Sequence, residues 1–106
     1  MVIIEKLTEM MEEELDDSEK YIRCAIDKRE EYPAVAEVFY KLSEEEIKHM
    51  EMLHDQATAI INQYKKANGA PPEAMMTVYK ILHKRLINHL TEIRAMQNVY
   101  KNPTGI

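Results

Sequence analysis

The sequence predicts an all-α protein, and three observations carry that prediction. The two glycines and four prolines stand only at Pro33, at Gly69, Pro71 and Pro72, and at Pro103 and Gly105. They leave three long segments free of helix breakers. In each segment apolar residues recur with the 3.6-residue period of a helix, and no segment shows the sustained alternation of a strand.

The first helix is expected over about residues 2–30. Its apolar stripe is Ile3, Leu7, Met10, Met11, Tyr21 and Ala25. At about 100° per residue all of them lie within about 60° of Glu14, so a carboxylate occupies the middle of the stripe. Asp17 and Ser18 flank it on the same side.

Pro33 suits the first turn of a new helix, which is expected to run to about residue 67. The short connection predicts an antiparallel hairpin. Asn68-Gly69 is a helix stop, and Pro71-Pro72 forbids continuation. The third helix is expected over about residues 72–101, with a stripe of Met75, Val78, Tyr79, Leu82, Leu86, Leu90, Ile93, Met96 and Tyr100. His89 sits on that stripe and His83 at its edge, but no carboxylate joins them. This is the pattern of a packing or dimerisation helix. The eight methionines are spread over all three stripes, as flexible core filler would be.

At 106 residues a single domain spanning 1–106 is expected, with a modest core that gains from oligomerisation. The net charge is −5, and Lys and Arg form no stripe, which argues against a nucleic-acid partner. Cys24 is the only cysteine, so an intrachain disulfide and a Cys-x-x-Cys motif are excluded. No apolar run is long enough to span a membrane, and Met1-Val2-Ile3-Ile4 is followed directly by Glu5, unlike a signal sequence. A reducing cytoplasmic location fits best.

The second helix carries the chemistry. Glu46-Ile-Lys-His49 places a carboxylate and an imidazole three residues apart, a spacing that lets both ligate one metal. With Glu46 set to zero on the wheel, Val35, Phe39, Leu42, Met50, Leu53, Ala57, Ile60 and Tyr64 fall within about 40°, and His49 about 60° away. Charged groups on an apolar face are costly unless compensated, and a cation is one compensation. Glu51-Met-Leu-His54 has the same spacing but falls about 140° and 80° from the stripe, so a solvated pair is expected there.

Carboxylates with a few imidazoles suit iron or manganese. Four-helix bundles with two metals use a Glu from each of two helices and a Glu-x-x-His from each of the other two. This chain supplies Glu14 and the pair Glu46/His49, which is half a site. The third helix lacks the missing carboxylates, so the simplest completion is a two-fold partner, a homodimer or a higher homo-oligomer.

The chain resembles the ferritin-like superfamily over roughly residues 5–67, in its rubrerythrin-like branch. The resemblance rests on Glu14 followed seven residues later by Tyr21, on Phe39 seven residues ahead of Glu46, and on Glu46 with His49. It implies a non-haem di-iron carboxylate centre with ferroxidase, peroxidase or iron-storage roles. Having one helix pair where full-length members have two, the chain is similar to the short encapsulated ferritins, whose site is assembled between subunits. That similarity brings in an encapsulating shell as a partner. A rubredoxin-like cysteine module is absent, so an electron donor would be a separate protein.

The expected site therefore comprises Glu14, Glu46 and His49, with two iron ions per dimer and manganese as the other candidate metal. Glu14 and its mate would each bind mainly one iron, Glu46 and its mate would bridge, and His49 would complete each coordination sphere. Asp17 is a candidate further ligand or iron guide, and Tyr21 a candidate group behind the ligands. The competing expectation is a non-enzymatic helical assembly module in which Glu14, Glu46 and His49 form a metal-free buried polar network that fixes register.

Overall fold

The computed structural model describes residues 1–105, and among them all regular structure is helical. There are three helices: α1, Val2–Lys28; α2, Pro33–Asn68; and α3, Glu73–Lys101. α1 ends two residues before the expected boundary. Pro33 opens α2, where its missing N–H costs nothing. At the other end Gly69 takes a φ of +77°, and its N–H is bonded to the Lys65 carbonyl at 3.0 Å. A side chain at that φ would be strained, so the glycine is what lets α2 stop there. Arg29, just past α1, donates to the Val99 and Tyr100 carbonyls at 3.2 Å and so caps the C-terminus of α3.

α1 and α2 form the antiparallel hairpin. α3 runs parallel to α1: Met75 lies beside the Met1 amine, His89 beside Glu19, and Tyr100 beside Arg29. α3 packs mainly along α1 and meets α2 only narrowly. The molecule is a rod of 56 × 21 × 17 Å. Its radius of gyration, 16.8 Å, exceeds the roughly 13 Å of a compact chain of this length because helices this long make a rod and not a sphere.

The core is a coiled-coil seam. α1 contributes Ile4, Thr8, Met11, Leu15, Ser18, Ile22 and Ala25, and α2 contributes Ala36, Tyr40, Ser43, Ile47, Met50, Ala57 and Ile61. On α1 the steps alternate four and three, the 3.5-residue repeat that keeps one seam facing a neighbour; on α2 the same rhythm holds once His54 is counted between Met50 and Ala57. α3 adds Leu86, Ile93 and Gln97.

This corrects the phase expected for the first two helices. The buried seam is centred about one residue along from the expected stripes: Ile3, Met10 and Val35 are well exposed, while Ile4, Leu15, Ala36 and Ile47 are buried. Met11, Ala25, Met50 and Ala57 belong to both sets. The reason is packing. The buried set carries the small residues Ser18, Ala25, Ala36, Ser43 and Ala57, which let two helix backbones approach closely. The serines also complete each other. Ser18 Oγ donates to the Ser43 carbonyl at 2.7 Å, Ser43 Oγ donates to the Ser18 carbonyl at 2.9 Å, and Gln97 Nε2 donates to Ser43 Oγ at 3.0 Å. A wheel that looks for apolar residues passes over this buried, satisfied polar knot.

The displaced residues keep a seam of their own. Ile3, Leu7, Met10, Glu14 and Tyr21 on α1, and Val35, Phe39, Leu42, Glu46, His49, Leu53 and Ile60 on α2, follow the same three-and-four rhythm one residue out of step with the core. All of them are half-buried or exposed. The hairpin thus has two adjacent apolar seams, one filled by its own packing and one open.

Candidate metal centre

Glu14, Glu46 and His49 stand together at the middle of the open seam. One ligating atom from each lies within 4.8 Å of the others. His49 Nδ1 is 3.5 Å from Glu14 Oε2 and 3.5 Å from Glu46 Oε2. Two donors about 2.1 Å from one cation stand roughly 3.0–3.4 Å apart, so the observed spacings need only small closing movements. The serine knot explains why the carboxylates meet. Ser18 is one turn beyond Glu14 and Ser43 one turn before Glu46, and their reciprocal bonds hold α1 and α2 at close range there.

The exposures are graded. The Glu46 side chain is 17% exposed, that of Glu14 27% and that of His49 52%. Glu46 is therefore the least hydrated of the three and its charge the hardest to keep. Its hydrogen-bonding approach to the Glu14 carboxylate, and then its burial and the Glu14 charge, push its carboxyl up to about 7. His49 opposes the shift, and Asp17 adds a smaller upward push. Two carboxylates that resist ionising together form a site whose negative charge is stabilised by a cation.

Asp17 is exposed and stands outside the ligand group, reaching Glu46 only through its charge. Tyr21 is half-buried and stacks on Phe39 across the hairpin, with ring centroids 6.2 Å apart. It walls the open seam two turns beyond Glu14.

The histidines outside this group go elsewhere. His89 Nε2 is 2.8 Å from Glu19 Oε1, an α1–α3 pair in which Glu19 also accepts from Arg23 Nε at 3.0 Å. These partners, Arg23 first and then His89, hold the Glu19 carboxyl below its ordinary range. The solvated Glu51/His54 pair is a correction. His54 is half-buried, and its Nε2 lies 3.2 Å from His83 Nε2 on α3. His54 takes the buried-seam position between Met50 and Ala57, a signal that the three-and-four spacing held once the phase was right.

Among the described residues, no helix is long and apolar enough to cross a membrane. Comparison with protein-family models, with curated proteins and with solved structures gives no match, so the functional reading stands on the geometry of this chain alone.

Proposed function

We propose that the protein is a ferritin-like, non-haem di-iron carboxylate protein that oxidises Fe(II) with O₂ or peroxide, at a site shared by two chains. The observation that carries the reading is the position of Glu14, Glu46 and His49 at the centre of an open apolar seam. A second copy laid on that seam across a two-fold axis completes a four-helix bundle and brings four glutamates and two histidines to its middle. It also covers the exposed Ile3, Met10 and Val35, which one chain leaves in water.

The donor set fits iron, with manganese next, because oxygen donors with one imidazole per metal match those cations. A di-iron centre there supplies the one-electron steps that O₂ or peroxide reduction needs. The chain's own residues do the rest. Glu14, His49 and Glu46, the more shielded of the two carboxylates, would hold the metals. The raised pKa of Glu46 makes it the group that gives up a proton when a cation enters. Phe39, Leu42 and Tyr21 exclude water once the partner is docked. Two Fe(II) held there would supply the two electrons that, with two protons, take one peroxide to two waters.

A second reading has one observation in its favour. The Glu46 carboxyl, pushed up to about 7 beside Glu14, also suits a metal-free network that fixes helix register. Metal analysis after expression with iron separates the two. The di-iron reading expects about one iron per chain, and fewer than about 0.2 in a normally folded protein would sink it. Glu46→Ala should remain helical, bind no iron and fail to oxidise Fe(II). Oxidation at the wild-type rate would remove Glu46 from the site.

A further inference from the structure

His54 and His83 have no part in the reaction proposed above, and both stand where a seam of this kind normally places an apolar knob. His54 follows the buried Met50 on α2, and His83 precedes the buried Leu86 on α3. Their rings are tilted at 32° with centroids 5.3 Å apart, and Tyr79 stacks on His83 at 5.8 Å. Beside them is a cavity of about 130 Å³ whose lining includes Met50, Leu86, Leu90 and the carboxylate-bearing Glu51. Among the described residues Glu51, one turn before His54, pairs with Arg94 at 3.7 Å and lies outside the ligand spacing of the two rings.

Two imidazole Nε2 atoms 3.2 Å apart share one hydrogen bond at most, in which one ring donates and the other accepts. A cation that replaces the shared proton takes a lone pair from each ring. With metal–nitrogen bonds of about 2.0–2.1 Å and tetrahedral angles, the two nitrogens would stand about 3.3 Å apart, so the rings already have the spacing of a chelate.

We propose that His54 and His83 form a second cation site, complete within one chain and chemically distinct from the Glu14–Glu46–His49 centre. It takes one borderline divalent cation of the zinc(II) class on the two imidazoles; Glu51, now paired with Arg94 and outside ligand spacing, turns in as the third donor when the cation binds, with water as the fourth. Two nitrogens and one oxygen bind cobalt(II) and zinc(II) more tightly than Fe(II), whereas the oxygen-rich centre favours iron and manganese. The site joins α2 to α3 where these two helices otherwise meet narrowly, so bound metal acts as a staple for α3. Because it needs no partner chain, it holds whether or not the di-iron reading does.

The test uses the full chain carrying Glu14→Gln and Glu46→Gln, which silences the first centre, titrated with cobalt(II). The expected result is about one cobalt per chain with the intense visible absorption of a tetrahedral ion, and a melting temperature raised by about 3–8 °C. Adding His54→Gln or His83→Gln should abolish both signals in a protein that stays helical, and Glu51→Gln should weaken binding about tenfold. An absent visible band at about 100 µM cobalt, or a band unchanged in both histidine variants, would overturn the site. If either histidine variant failed to fold, the imidazole nitrogen resonances of the wild-type chain decide. Zinc(II) must shift those of both His54 and His83, and unmoved resonances refute the proposal.

Discussion

The two histidine-bearing clusters of α2 lie little more than one turn apart and differ in almost every respect. Glu14–Glu46–His49 faces the open seam, is rich in oxygen and contains half of what a two-metal site needs. His54–His83 lies on the filled side, offers two nitrogens and is bridged within one chain. Both have a glutamate three residues before the histidine, so spacing on one helix does not distinguish them. What distinguishes them is which neighbour each face meets. α3 covers His54, whereas His49, among the described residues, is left half exposed beside Glu14 and Glu46. A short motif on a long helix gains its meaning from the packing of the other helices.

Substitutions that separate the two faces test this contrast, and the largest effect is expected on the open seam. Leu42→Asp leaves the filled seam intact, so the chain should stay helical while losing self-association and, with it, iron binding by about 100-fold or more, read by sedimentation and iron titration. A dimer that survived the change would place the partner elsewhere. On the filled seam, Leu15→Ala removes a fully buried side chain and should cost about 2–5 kcal/mol in chemical denaturation. Leu7→Ala, on the half-buried open seam, should cost far less in the monomer.

Next in size is the serine knot. Ser43→Val removes the donor to the Ser18 carbonyl and the acceptor for Gln97, and wedges extra volume between α1 and α2. About 1–3 kcal/mol should be lost, and iron affinity should fall as well, because Glu14 and Glu46 are held together from this point. Unchanged iron affinity in a destabilised protein would separate the knot from the centre.

The pH dependence is smaller and has a definite sign. The Glu46 carboxyl is raised from 4.5 to about 7 in the folded chain. The folded state therefore keeps a proton that the unfolded state releases above about 4.5. The stabilisation from this group is fully present below that value and is lost as pH rises through about 7. Metal-free protein should lose stability across that window, iron affinity should rise across it, and Glu46→Gln should flatten both trends. The smallest effect is expected at Glu19. Glu19→Gln weakens a partly exposed network with Arg23 and His89, so about 0–1 kcal/mol is expected and iron chemistry should be untouched.

Much of this was legible in the sequence. Pro33, Gly69 and Pro72 set the helix boundaries, because backbone limits at proline and glycine act locally. Glu14, Glu46 and His49 were visible as charges placed among apolar residues. The phase of the core was not legible on α1 and α2, because adjacent residues such as Ile3 and Ile4, Glu14 and Leu15, and Glu46 and Ile47 belong to two seams about 100° apart. The choice between the seams depends on Ser18 and Ser43, small polar residues that a hydrophobic pattern does not register. The His54–His83 contact joins residues on different helices, and only tertiary packing reveals it.

The central claim is that the open seam is closed by a second copy that completes a two-metal centre. Native mass spectrometry of the iron-loaded full chain reads both parts together. The expected species is a dimer, or a larger even assembly, carrying about two irons for every two chains, and Glu46→Ala should lose the iron. A monomer that holds two irons, or an iron-free dimer after loading, would contradict it.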